Sequence, residues 1–180
     1  MKNHYTATAK ALHWLLALML FAMLALGFYM QDLPLSPEKL QLYSWHKWAG
    51  VTIFLLVLFR LAWRFTHRPP ALPANMPKLM QMAAHAGHLA LYGLMLAIPL
   101  SGWLMSSAKG FQTVWFGVLP LPDLLTKDKA LGDLLQTVHV SLNLLLLVVV
   151  AGHVGAALKH HFIDRDDILT RMLPKRTQEN

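Results

Sequence analysis

Histidine is the residue type whose positions in this chain point to chemistry. The 180 residues include ten histidines, nine acidic residues and no cysteine. Without cysteine, the chain has no disulfide, no iron–sulfur cluster, no thiol nucleophile and no thioether-linked c-type haem. A metal would therefore be bound by His, Met or carboxylate side chains. Six histidines lie inside long apolar stretches, where ionisable groups are costly and usually functional: His13, His46, His85, His88, His139 and His153.

The two histidines of the last apolar stretch are spaced for two separate ligand sites. His139 and His153 are fourteen residues apart, close to four helical turns, so they share one face about 21 Å apart along the axis. Neutral imidazole is a good ligand for haem iron. At the depth of His139 the matching histidine is His46. At the depth of His153 it is His13, and depth alone leaves His88 open as the alternative.

Each of these histidines, taken alone, could have a simpler role. One histidine can simply bond a neighbouring helix, and the nearby Gly50, Gly152 and Gly155 can serve helix packing as well as the approach of a flat macrocycle. A proton relay or transporter is disfavoured because no apolar stretch carries a central Asp or Glu. A structural zinc site would need ligands that converge on one point. Histidines paired at two depths favour two haems.

The elements that must position these histidines are transmembrane helices. Hydrophobic residues make up 56% of the chain and charged residues only 14%. A helix needs roughly 20 apolar residues to cross a membrane, and a barrel's alternating pattern is absent. We therefore predict an all-α integral membrane four-helix bundle, forming a single domain over residues 1–180, and we expect the first stretch to be a retained span. The predicted spans are about 11–30, 42–63, 82–108 and 134–158.

The distribution of lysine and arginine predicts the orientation. The net charge of +7 is assigned to flanks that face anionic lipid, and not to nucleic-acid binding. Eleven basic residues fall on the side of both termini: Lys2, Lys10, Arg60, Arg64, Arg68, Lys78, Lys159, Arg165, Arg171, Lys175 and Arg176. Five fall on the other side: Lys39, Lys47, Lys109, Lys127 and Lys129. Both termini are therefore expected in the cytoplasm. Lys47 and Arg60, inside the second span, are expected to snorkel to an interface.

Short motifs occur in a characteristic order along nearly the whole chain. They are Leu12-His13-Trp14, Trp45-His46 followed by Gly50, Ala84-His85-Ala86-Gly87-His88-Leu89, Ile98-Pro99, Val138-His139, His153, His160-His161 and Thr170-Arg171-Met172-Leu173-Pro174. In their order and spacing the sequence resembles the bacterial cytochrome b561 family, and is most similar to the superoxide oxidase type. Cytochrome b subunits of hydrogenases and formate dehydrogenases are more distantly similar.

The resemblance implies two haem b groups, one bound by His13 with His153 and one by His46 with His139. It also implies electron exchange with ubiquinone in a bacterial inner membrane. For a superoxide oxidase, Lys47 and Lys109 are the candidates that would attract the small anion. His85, His88 and His160 are candidates for the surroundings of the quinone or the inner haem. The alternative is a non-catalytic electron-transfer subunit that serves a dehydrogenase or another respiratory protein partner.

Overall fold

The computed structural model describes residues 4–73 and 76–173. Lys2, Lys175 and Arg176 of the charge count, and Pro174 of the last motif, lie outside the described residues. The described elements are α1 (Ala7–Asp32), α2 (Pro37–Thr66), α3 (Lys78–Ala108), β1 (Val114–Trp115), β2 (Leu119–Pro120), α4 (Lys129–Phe162) and a 3-10 turn (Thr170–Met172). The four α-helices are each long and apolar enough to cross a membrane. The prediction of an all-α membrane bundle is confirmed. The described residues add one hairpin, made of two strands of two residues each.

Polar caps set where the helices begin. The hydroxyl of Thr6 accepts a hydrogen bond from the Ala9 amide, and Ser36 accepts one from Lys39, each at 3.2 Å. The Asp128 carboxylate accepts one from Leu131 at 3.0 Å. Such caps satisfy amides that have no partner within the helix. Helices α1, α2 and α4 extend beyond the predicted apolar spans at both ends.

The helices pack in chain order, α1 on α2, α2 on α3 and α3 on α4. The best buried apolar cluster joins the first three helices through Leu16, Ile53, Val57 and Met95. In the described part of the chain, α4 faces α1 and α2 without close packing. The side of α4 that carries His139 and His153 meets α1 and α2 through the rings of His13 and His46.

The loop between α3 and α4 closes one end of the bundle. We call this the outer end, because it carries the connections α1–α2 and α3–α4. The Trp48 indole donates to the Val114 carbonyl at 2.6 Å, and the Trp115 indole lies 3.3 Å from the Thr52 hydroxyl. These bonds dock the β1–β2 hairpin on α2.

The C-terminal segment closes the opposite, inner end. The Lys10 ammonium donates to the Leu173 carbonyl at 2.8 Å, and the Trp14 indole donates to the Met172 carbonyl at 3.0 Å. Arg171 donates to the Ala71 carbonyl at 2.6 Å and pairs with Asp167 at 2.7 Å. The hydrogen bond from Arg171 lowers the pKa of the Asp167 carboxyl. The segment is thus tied to α1 and to the α2–α3 connection.

Candidate functional site

At the inner end, α1, α3 and α4 each contribute one histidine to a group. The ring centroids of His13 and His153 are 6.2 Å apart, with their planes inclined at 64°. His88 of α3 also reaches His153, with centroids 5.5 Å apart. The structure therefore brings together all three histidines that depth alone had left as candidates.

At the outer end, α2 and α4 contribute one histidine each. The rings of His46 and His139 have centroids 6.4 Å apart and planes inclined at 73°. Two imidazoles that bind one metal from opposite sides, with metal–nitrogen distances of about 2.0–2.1 Å, have centroids roughly 6.3 Å apart once the ring radius is added. The pairs His46–His139 and His13–His153 both have a separation suited to one metal between them.

Hydrogen bonding fixes which nitrogen of His139 is free. Its Nδ1 lies 3.0 Å from the Ile98 carbonyl oxygen and 3.0 Å from the Ser101 hydroxyl. A carbonyl only accepts, so Nδ1 carries the proton and Nε2 keeps its lone pair. Ser101 also donates to the Ile98 carbonyl at 2.8 Å. The lone pair on Nε2 is the donor that a metal ion requires.

His46 has a nitrogen that the described residues leave without a partner. Its Nδ1 is buried and makes no hydrogen bond within the described part of the chain. A buried polar atom without a partner usually costs about 1–3 kcal/mol. Such a ring is stabilised when its nitrogens are used by a bound group. The unpartnered nitrogen is therefore consistent with a cofactor site at this level.

Three glycines beside the histidines border open space. A Cβ added at Gly50, Gly152 or Gly155 would meet no atom within 4 Å, apart from its own local backbone. Gly50 lies one turn from His46 on α2, and the other two flank His153 on α4. At Gly102, by contrast, an added Cβ would lie 3.1 Å from the His139 ring. The room beside the rings and the imidazole donors together fit a flat, iron-centred macrocycle.

Arg60 makes contacts that the sequence did not predict. Its guanidinium donates to the Ala9 carbonyl at 2.9 Å and to the Tyr92 hydroxyl at 3.0 Å. Its Nη2 lies 3.4 Å from Nδ1 of His13. Sequence reasoning missed this position, and it missed Ser101 as well. The available signal for Arg60 was a cation lying in the same span as His46, at the depth of His13.

The two lysines predicted to attract an anion both lie at the outer end. Lys47 is half-buried, and its ammonium donates to the Phe111 carbonyl at 3.1 Å. Lys109 donates to the Gln136 side chain and lies 3.6 Å from Asp133. An outer cleft of about 280 Å³ is lined by three lysines, one carboxylate and two apolar residues: Lys109, Lys127, Lys129, Asp133, Ala108 and Phe111.

His85 and His160 lie apart from the facing rings. His85 is exposed, and its Nδ1 is 2.7 Å from the Gln81 carbonyl. His160 is largely buried, with Nδ1 2.6 Å from Asp166 and 3.2 Å from Asp164. Within the described residues, no hydrogen bond or ring contact joins His85 to His160. His88 alone of these three contacts a ring of the inner group.

Membrane helices that hold pairs of imidazoles opposite each other at two depths define a class of protein, the membrane cytochromes that bind haem between helices. Comparison with known families makes the class specific. The family described as "Prokaryotic cytochrome b561" matches residues 4–175. The chain therefore belongs to this family of membrane electron-transfer proteins, which bind haem b. The family predicted from the motifs is confirmed, and the chain is a multi-pass bacterial membrane protein.

Individual relatives are similar over almost their full lengths. "Cytochrome b561 homolog 2" of Escherichia coli (strain K12) is 37% identical, covering 98% of this chain and 95% of the relative. "Cytochrome b561 homolog 1" of the same strain is 29% identical, over 97% and 99% of the two chains. "Probable superoxide oxidase CybB" of Yersinia pestis is 29% identical, over 98% and 99%.

Proposed function

We propose that this cytochrome relays single electrons between a donor at its outer end and the ubiquinone pool, through two haem b groups. His13 and His153 hold the inner group, and His46 and His139 hold the outer one. The observation that supports this most strongly is the pair of ring separations, 6.2 and 6.4 Å, at two levels of one bundle. The 5.5 Å separation of His88 and His153 is shorter than two axial ligands need.

The protein's own part in the reaction is to bind the haem groups and to shield them from water. Haem b supplies reversible one-electron chemistry when bound. The Ile98 carbonyl and the Ser101 hydroxyl orient the His139 ring, so that Nε2 points away from its hydrogen bonds. The apolar helices exclude water from the histidine rings. A dry surrounding tunes the reduction potential of a bound haem and prevents side reactions.

The electron donor in this proposal is superoxide. The Yersinia pestis relative, 29% identical, is named a probable superoxide oxidase. Lysines at the outer end favour a small anion because their summed field raises its local concentration. Lys47, Lys109 and the exposed Lys129 all lie at this end, although Asp133 pairs with Lys129 at 2.7 Å and reduces the field. The inner end would deliver electrons to ubiquinone near His85, His88 and His160.

The experiment is stopped-flow haem reduction by superoxide, in the presence of ubiquinone and over a series of salt concentrations. Lys47→Glu and Lys109→Glu should slow reduction several-fold without changing haem content, and the parent's rate should fall as salt shortens the Debye length to below ~8 Å. Lys78→Glu is the matched control, since it makes the same charge change on an exposed residue at the inner end. Its rate should equal the parent's.

If haem reduction is slow and its rate depends neither on salt nor on the charge of the lysines, the superoxide reaction is contradicted. The chain would then be better described as an electron-transfer subunit whose electrons come from a protein partner. Copurification with a dehydrogenase from the native membrane would identify that case.

A further inference from the structure

Arg60 is a half-buried cation at the inner level, and within residues 4–73 and 76–173 no carboxylate forms an ion pair with it. Among the described residues, the ion-paired carboxylates are Asp133, Asp164, Asp166 and Asp167, and each pairs with a group other than Arg60. Burying a charge within a membrane bundle is costly unless the charge is paired. Charged residues at such positions usually have a function. The position therefore calls for an explanation beyond packing.

Contacts from two neighbouring helices fix the guanidinium in place. Nη1 donates to the Ala9 carbonyl of α1 at 2.9 Å, and Nε donates to the Tyr92 hydroxyl of α3 at 3.0 Å. These bonds leave Nη2 at 3.4 Å from Nδ1 of His13. If His13 binds iron through Nε2, its Nδ1 carries a proton, and both groups at this contact are donors. Arg60 would then influence a haem bound by His13 through its positive charge, and not through a hydrogen bond to His13.

A fixed positive charge favours the reduced state of a nearby haem. Reduction adds one negative charge, and a guanidinium at roughly 8–10 Å in a medium of effective dielectric about 20–30 stabilises that charge by about tenfold in the ratio of reduced to oxidised haem.

At the outer level, the hydrogen bonds of the His139 ring are made to neutral groups. Nδ1 of His139 donates to neutral acceptors, the Ile98 carbonyl and the Ser101 hydroxyl. Such a bond raises the basicity of a metal-binding imidazole and so favours the oxidised state. Lys47 follows His46 directly in the chain, but its ammonium is held at the Phe111 carbonyl in the outer loop.

We propose that Arg60 makes the inner-level haem the more easily reduced of the two, and so directs electrons from the outer end to the inner end. This inference rests on the haem ligation proposed above. Arg60 would then set the direction of electron flow in the chain.

The test is an anaerobic redox titration of the whole purified protein, followed by haem absorbance. The parent should titrate in two one-electron steps. Arg60→Gln should lower the upper midpoint, by about 59 mV for a tenfold change in the ratio, and leave the lower midpoint in place. Arg60→Lys keeps the charge and should stay near the parent. Arg68→Gln removes an equal charge from an exposed loop residue and should not shift either midpoint.

An unchanged upper midpoint in Arg60→Gln, or a shift confined to the lower one, would overturn the inference. If Arg60→Gln binds too little haem to titrate, Tyr92→Glu decides, because it keeps Arg60 and sets a carboxylate against it. The upper midpoint must then fall, and an unchanged value overturns the inference. Failure of the proposed function has a separate signature, a haem content other than two per chain in the parent itself.

Discussion

His46 of α2 and His139 of α4 face each other near the outer end of the bundle, with ring centroids 6.4 Å apart and planes inclined at 73°. The two rings differ in how they are held. His139 is anchored by the Ile98 carbonyl, whereas Nδ1 of His46 has no hydrogen-bond partner among the described residues. Within the described residues, one ring of the pair is therefore oriented by a hydrogen bond through its Nδ1, and the other is not.

The first prediction concerns haem content. Purified protein should contain two haem b per chain, and acid solvent should extract both, because a chain without cysteine can form no thioether bond. Absorbance of the extracted haem against protein mass gives the ratio. A ratio of zero would end the haem proposal, and a firm value of one would show that one histidine pair is misassigned.

The second prediction separates the two levels. His46→Ala or His139→Ala should remove the outer haem, and His13→Ala or His153→Ala the inner one, because each change deletes one of the two ligands proposed for that haem. His88→Ala should keep both, and it serves as the control for loss of an intramembrane imidazole. Haem content and the absorption spectrum of each variant provide the measurement. Loss of the inner haem in His88→Ala, with retention in His13→Ala, would reverse the inner assignment.

The third prediction uses the close approach of α3 to a ring. Gly102→Ala would place a Cβ 3.1 Å from the His139 ring, so the ring must shift by a few tenths of an ångström. Displacing the proposed haem ligand in this way should weaken outer haem binding by roughly tenfold or more. Titration of haem into the apoprotein measures the change.

The control for this third prediction lies on the same helix. Gly93→Ala makes the same substitution where an added Cβ meets no atom within 4 Å, and it should leave haem binding unchanged. Equal haem affinity in the two variants would show that the His139 ring tolerates the shift.

The fourth prediction concerns topology. Both termini should lie in the cytoplasm, because eleven basic residues flank that side against five on the other. A C-terminal reporter that is active only in the cytoplasm should be active in the fusion. Activity of a periplasm-specific reporter instead would exchange the inner and outer ends, and the proposed anion site with them.

The sequence by itself determined the class of fold and the depth of the histidines. A span needs about 20 apolar residues whatever it packs against, so membrane helices can be read from composition alone. The fourteen-residue spacing of His139 and His153 likewise fixes two levels on one face, because helical periodicity is local. Neither conclusion depends on how the helices pack together.

Only the tertiary structure decided which side chains meet across the bundle. Depth can be read from position in a span, but the rotation of each helix depends on packing against its neighbours, which leaves no local pattern. The contact of Arg60 with Ala9 and Tyr92, and that of Ser101 with His139, each join different helices. Arg60 thus lies beside His13, because the helices next to α2 supply its hydrogen-bond acceptors there.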